Sequence, residues 1–490
     1  MDITRSEIRR DNISIFLFAL TLFSSACLMF VLQPMVGKAL LPLLGGSASV
    51  WNTCMVFYQS ILFFGYLYAH FLTTRLSFRK HLLIHLTLLI ICLNFLPIDI
   101  QENSARPGSS ENPNIWLLTT LFISIGIPFF ILSTNSPILQ KWFSKIGHQT
   151  SHDPYYLSIG SNAGSLIALI SYPLIFEPSF GVSAQQQYWS AGFLVLLGLV
   201  CFCMMQLKPQ HFENPEHACK KDIFKSKLSL KTQMHWLLLA FVPSSLLLGT
   251  TNFISIDIAA VPLLWVIPLA LYLLTFIMVF SNIGSALHKK IVLIQPWIIV
   301  PFLVYYFSNH KLASISIEMV FHLLVFFISI MVCHGELAKK RPPVEYLTNF
   351  YLIMSFGGML GGVFNSFVAP SLFSSIFEYP LMIICALLLN PIHHKIKLYV
   401  KEHLAKIIFL SYLSAFTTIL LISVNQTENP ILVSFAVLLS MGFALFFFKK
   451  HALSIPLIGM LLLSCAAPEK QQGDRLLHQS RNFYGVLSVK

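Results

Sequence analysis

Seven polar side chains stand where a very apolar chain has least reason to keep them: Gln33, Lys38, Asn135, Asn162, Glu177, Asp257 and Glu378. Ionisable groups at the edges of long apolar runs are expensive, and they flag sites of function. Lys38 lies in QPMVGKALLP, just past the first apolar run, and Asp257 holds the nearly equivalent place in the second half of the chain. Opposite charges at such related positions can pair across a mouth and separate as it opens. The plainer alternative is two independent charges, each reaching for interfacial water. Glu177 and Glu378 each follow a proline near the end of an apolar run, where a carboxylate could face a cavity. Asn135, with Ser136 and Pro137, is expected to interrupt the fourth run and to line a cavity or make a simple kink. Gln33 and Asn162 are further polar candidates inside runs.

His334 and Glu336, in CHGEL, could relay a proton, since histidine titrates near neutrality; a helix-end cap is the alternative. His81 and His85 are four residues apart, the helical spacing of two metal ligands, but no third ligand stands nearby, so no metal is expected. The nine cysteines suggest no disulfide framework, and no cofactor motif is present.

The elements that must position these residues follow from composition. The chain has 490 residues, 56% hydrophobic and only 11% charged, far from the roughly 25% charge of soluble domains. About fourteen runs approach the ~20 apolar residues that cross a bilayer, near 13–33, 47–72, 82–98, 115–137, 156–176, 187–207, 235–256, 258–280, 291–308, 313–333, 350–370, 379–393, 405–424 and 430–448. Lys and Arg concentrate in every second gap between these runs, and the intervening gaps keep only Lys38, Arg106 and Lys311. By the rule that translocated loops shed Lys and Arg, the N-terminus is expected on the cytoplasmic side. The net charge of +12 is split among short loops, so a nucleic-acid partner is not expected; the lipid bilayer is. No cleavable leader is evident. The opposite gaps hold Asp99, Glu102, Glu111, Glu177, Asp257, Glu318, Glu378 and Glu428 against three bases. That excess could concentrate a cationic solute, or simply reflect the loss of Lys and Arg.

Six basic residues fall in 208–234, where a six-plus-six bundle would carry its linker. The expected organisation is a first half 1–207, a basic linker 208–234, a second half 235–396, extra spans within 397–466 and a tail 467–490. The halves echo each other. Ser25 precedes Pro42 by 17 residues, and Ser245 precedes Pro262 by 17. Trp51 follows in the first half and Trp265 in the second. Likewise Gly164 precedes Pro173 by 9 residues and Gly361 precedes Pro370 by 9, each followed by Phe-Glu. Such repeats build transporter folds. The small residues Gly164, Gly357, Gly358, Gly361 and Gly362 are expected to let helices pack closely.

LLGGSASVWNTCMVFYQSILFFGYLYAH (43–70), GIPFFILSTNSPILQKWF (126–143), YYLSIGSNAGSLIALISYPLIFEP (155–178), SSLLLGTTNFISIDIAAVPLLWVIPLALYLLTFI (244–277) and CHGELAKKRPPVEYLTNFYLIMSFGGMLGGVFNSFVAP (333–370) together resemble bacterial membrane proteins fused to a spermidine-synthase domain, with a major-facilitator-like membrane part. The resemblance covers nearly all of 20–395. It implies an all-α integral membrane fold of the bacterial inner membrane: a 6+6 bundle with about two extra helices. In that family an aminopropyltransferase-like domain follows. Here 473–490 offers only RNFYGVL (481–487), which looks like that domain's opening strand, so no enzyme activity is expected of this polypeptide. The resemblance implies transport of a small solute, with a polyamine or related cation as the favoured class. It also leaves open a scaffold for a separately encoded synthase domain, or a degenerate remnant.

Overall fold

The computed structural model describes residues 5–98, 112–146, 154–207, 229–258, 263–281, 284–307, 314–373, 375–391, 478–482 and 485–489. Twelve main helices run through the described residues. The first six are α1 (Arg5–Leu44), α2 (Ala48–Arg75), α3 (Phe78–Ile91), α4 (Pro113–Phe143), α5 (Leu157–Ser171) and α6 (Val182–Met205). The second six are α7 (Leu230–Phe253), α8 (Val266–Phe280), α9 (Gly284–Phe307), α10 (Ile315–Lys339), α11 (Leu347–Val363) and α12 (Glu378–Leu388). Ten segments are long and apolar enough to cross a membrane, and α8 and α12 are shorter apolar helices. Large apolar side chains such as Phe16, Phe64, Phe122, Leu174, Leu293 and Val320 remain exposed. Such a belt belongs against lipid, because hydrocarbon rather than water is the solvent there. The expected extra spans near 405–424 and 430–448 lie outside the described residues.

The two sets of six pack in the same way. In the first half α1 runs along α5 and also touches α4 and α6; in the second half α7 runs along α11 and touches α10 and α12. Between the halves, α2 lies on α11 and α5 on α8, again a related pair. This is an all-α, six-plus-six bundle. Helix α7 is its innermost member: 83% of its apolar segment is buried, against 22% for α3 at the periphery.

Close backbone approach fixes each half. A Cβ on Gly164 would press on the backbone of Phe23 in α1, and a Cβ on Gly357 or Gly361 would press on α7 at Leu237, Phe241 and Ser245. Hydrogen bonds follow the same contacts. Cys27 Sγ donates to the Gly164 carbonyl at 3.3 Å, and Ser244 Oγ donates to the Gly358 carbonyl at 2.9 Å. The other two glycines differ. Gly362 faces Gln59 of α2 across the halves, and the space beside Gly358 is open, so the expected packing role does not extend to Gly358's missing side chain.

Three expectations need correction. The fourth span is not interrupted at Asn135: α4 runs unbroken to Phe143 with Pro128 and Pro137 inside it. Hydroxyls satisfy carbonyls in the turn before the second proline, with Ser133 Oγ bonding Phe130 O at 2.6 Å and Thr134 Oγ1 bonding Ile131 O at 2.7 Å. The irregular turns come elsewhere, as five-residue π-helical turns over Tyr172–Phe176, Ile254–Ile258 and Phe364–Val368. They close α5, α7 and α11. The linker expected to reach 234 ends earlier, because α7 begins at Leu230; polar Lys231, Thr232 and Gln233 extend the helix beyond its apolar part. The tail forms two strands rather than one, with β1 (His478–Asn482) antiparallel to β2 (Gly485–Val489).

Gly164→Ala and Gly361→Ala are expected to destabilise the protein by about 1–3 kcal/mol each, as overpacking does. Gly358→Ala should be close to neutral. Thermal unfolding of the purified variants in one detergent checks the contrast.

Candidate functional site

The two halves meet along a seam that changes character with depth. Arg75, Lys141, Lys145 and Lys339 to Arg341 mark one face of the bundle, here termed the basic face. There, His70 Nδ1 and Thr348 Oγ1 share a hydrogen bond at 2.9 Å, and Lys141 Nζ donates to Val344 O at 3.4 Å. Tyr155 donates its hydroxyl to Pro342 O at 3.1 Å. One turn deeper, Tyr351 of α11 donates to Gln140 Oε1 at 2.8 Å and lies 2.8 Å from Ser158 Oγ. These bonds all cross from the first half to the second.

The opposite face is closed by different chemistry. Trp51 of α2 and Trp265, just before α8, stack with ring centroids 3.4 Å apart. Beside them Asn52 Nδ2 donates to Asn252 Oδ1 at 2.8 Å. Between the two ends, Gln59 Nε2 donates to Ser244 Oγ at 2.9 Å, and Asn365 Nδ2 donates to Ser245 Oγ at 2.5 Å. The seam is therefore bridged near both ends and carries a polar contact, Gln59 to Ser244, between them.

The expected site residues fall into separate surroundings. Lys38 does not wait for a partner in the second half: its ammonium donates to Glu177 Oε1 at 2.7 Å, and Glu177 begins the short turn after the α5 π segment. This pair joins α1 to the end of α5 within one half. Asp257 sits in the π turn Ile254–Ile258, and its side chain lies outside the described part. Glu378 is the first residue of α12 and fully buried, whereas Glu177 is about a third exposed. Their matched positions in sequence do not give matched environments.

Asn135 is buried in a network inside the first half. Its Nδ2 donates to Ser25 Oγ at 2.9 Å, and its Oδ1 lies 3.2 Å from His85 Nε2. His81 Nε2 accepts from Trp142 Nε1 at 3.1 Å. The two histidines thus join α3 to α4, and no metal-holding group of side chains occurs among the described residues. Gln33 is buried on α1, next to Tyr58, whose hydroxyl reaches the Gln33 carbonyl at 3.4 Å. Asn162 is only half-buried on α5.

His334 and Glu336 do not meet, because residues two apart point to different sides of a helix. His334 Nδ1 pairs with Thr275 Oγ1 at 2.8 Å and stacks on Phe276 at 3.9 Å. Glu336 instead holds Lys339 at 3.0 Å, Lys340 at 3.8 Å and His288 of α9 at 3.4 Å. A relay between the two expected residues is not formed; the histidine that faces Glu336 is His288.

Sequence reasoning missed Asn52, Gln59, Asn252 and Asn365. One signal existed: Asn52 and Gln59 are seven apart in an apolar helix, as are Ser245 and Asn252, which puts each pair on one helical face.

No protein-family model matches the chain, and no curated protein matches it. Solved structures with a similar arrangement include a bacterial homologue of the iron transporter ferroportin in its outward-facing state. It is 15% identical, with 76% of this chain and 97% of that chain covered and a TM-score of 0.48. The POT family transporter PepTSo is 13% identical, covering 79% of this chain and 98% of that one at TM-score 0.49. The xylose transporter XylE from E. coli, partially occluded and inward open, is 11% identical, covering 78% and 99% at TM-score 0.49.

The Lys38–Glu177 pair is partly exposed, so solvent screens it. A double-mutant cycle of Lys38→Met and Glu177→Gln, read by thermal unfolding, should give a coupling of about 0.2–1 kcal/mol, falling as salt is added.

Proposed function

We propose that this chain is a transporter that moves a small solute across its membrane by alternating access. The observation that carries the reading is the seam with two unlike closures. One end is sealed by the Trp51–Trp265 stack and the Asn52–Asn252 bond; the other is sealed by Tyr351, His70 and Tyr155. Each closure consists of a few hydrogen bonds or one stacked pair, worth about 1 kcal/mol apiece. Either end can open by exchanging these contacts for water. The glycine contacts that hold each half together need not break. Two rigid halves rocking about a fixed centre is the motion that repeat-built transporters use.

A polyamine or related cation is the substrate class this reading favours. It is supported by the family resemblance, in which the neighbouring domain handles such amines, and by the acid-rich gaps opposite the basic loops. In the same reading the basic face is cytoplasmic and the membrane is a bacterial inner membrane. A second reading treats the membrane part as an anchor for a separately encoded synthase-like domain. The β1–β2 hairpin, at the residues that resemble the opening of that domain, is the observation that favours it. An anchor would bind the partner and carry no flux.

Uptake of labelled spermidine and putrescine into proteoliposomes is expected to saturate. Oxidation of an Asn52→Cys/Asn252→Cys pair should stop uptake and reduction should restore it. Undiminished flux through the cross-linked protein would remove alternating access at this seam.

A further inference from the structure

Away from the seam, one buried pair of titratable groups is built into the second half at its basic end. His288 of α9 and Glu336 of α10 face each other, with side chains 2% and 6% exposed. Gly335 makes room for the ring, because a Cβ there would fall on His288 itself. The imidazole Nε2 stands 3.4 Å from Glu336 Oε1 without forming a hydrogen bond. Its Nδ1 has no hydrogen-bond partner among the described residues. Two buried ring nitrogens without hydrogen bonds cost a neutral imidazole stability. An imidazolium in the same place gains a carboxylate.

Water reaches the pair from one side. Toward the membrane interior, Ile291 and Val292 of α9 pack on Ile328, Met331 and Val332 of α10 in a buried apolar layer. Toward the basic face stand Lys339 and Lys340, each with a side chain 44% exposed. A proton therefore arrives from the basic face, and the apolar layer stops it there.

Glu336 Oε1 is contested. It faces His288 and also Lys339 at 3.0 Å, while Oε2 lies 3.8 Å from Lys340. With His288 neutral, the carboxylate holds the two lysines. A proton on His288 makes a charge-assisted pair at Oε1 and repels both lysines, which are exposed enough to move into water. Those lysines begin the segment that ties this half to the first. Lys340 O accepts from Trp236 Nε1 at 3.0 Å, Arg341 lies over the Tyr155 ring, and Pro342 O and Val344 O accept from Tyr155 and Lys141.

Other titratable groups surround the pair. Cys333 lies near Glu336, and Tyr272 of α8 and Cys385 of α12 lie near Cys333; thiol and phenol stay neutral below pH ~8. Lys289 and Lys290 of α9 and Lys231 of α7 are exposed, and His235 of α7 meets Lys340 at 2.8 Å. His334 turns away to Thr275. Glu318, His322, Glu378 and Tyr379 belong to the opposite end of these helices. His70 of α2 bonds Thr348 at the seam itself, so it is the rival source of any pH response.

We propose that His288 and Glu336 form a proton-binding site, filled from the basic face, whose occupancy loosens the basic-face closure. The proton site stands on its own geometry; its control of the closure rests on the alternating-access reading. The arrangement with the lysines released holds the proton better, so falling pH favours the open basic face.

The test uses the full chain in nanodiscs, compared between about pH 8 and pH 5, where histidine titrates. Infrared difference spectra should show imidazole bands that His288→Gln removes. A spin-label pair across His70 and Thr348 should lengthen in acid, the ratio of open to closed rising about tenfold, as for a site whose affinity differs by one pH unit between the two states. Glu336→Gln, which cannot hold the lysines, should be long at both pH values. His288→Gln, which cannot take the proton, should be short at both. Misfolding cannot give these opposite plateaus. Imidazole bands unchanged in His288→Gln would overturn the proposal. So would a wild-type distance response in both variants, or one lost only in His70→Gln. If solute shifts the distances and pH does not, control of the closure falls and the transport reading stands. If the bands behave as expected while the distance stays fixed under pH and solute alike, the proton site stands and the transport reading falls.

Discussion

Everything in this bundle depends on the close approach of the first and fifth helices of each half. In the second half Gly357 and Gly361 lie directly on the backbone of α7, and in the first half Gly164 lies on Phe23 of α1. In a membrane no hydrophobic force drives helices together, since lipid tails are as apolar as leucine. Dense van der Waals contact has to do it instead, and only small residues permit that contact. Once α1–α5 and α7–α11 are locked, each half is a unit. The polar side chains that remain, on α2, α7 and α11, are left facing the other half. The seam follows from the locks.

Two kinds of interaction divide the polar groups. Inside a half they brace neighbouring helices: Asn135 uses Ser25 and His85, Trp142 uses His81, and Lys38 uses Glu177. These bonds brace helices that do not move relative to one another. Across the halves they are separate bonds, several at the basic face and fewer toward the Trp51–Trp265 end, with the amide oxygens of Asn52 and Gln59 left over. An interface made this way is poorly suited to permanent adhesion, and well suited to being opened and reclosed.

Much of this was legible in the sequence. Apolar runs and the alternation of basic gaps pointed to a six-plus-six bundle, because hydrocarbon thickness fixes run length. The Gly164 and Gly361 echo marked two helices that occupy equivalent places in their halves and that both end in a π turn. The Trp51 and Trp265 echo marked two residues that stack on each other. Pairings were harder to read. Lys38 and Glu177 stand far apart in sequence and pair because α5 lies beside α1, a fact of packing rather than of order. His334 and Glu336 looked coupled by adjacency, but a helix turns them apart. Asn135 looked like a break because proline follows it, yet α4 runs unbroken past Pro137. The seam amides were missed because single Asn and Gln residues in apolar helices gain meaning only once the facing helix is known.

The central claim is that the two ends of one seam open in turn. Spin-label distances measure this directly, with one label pair flanking Trp51 and Trp265 and a second pair flanking His70 and Thr348, recorded with and without solute. Two populations should appear in which one pair is long while the other is short, and solute should shift the balance between them. If both pairs hold one fixed short distance under every condition, or lengthen together, the two halves do not alternate and the account fails.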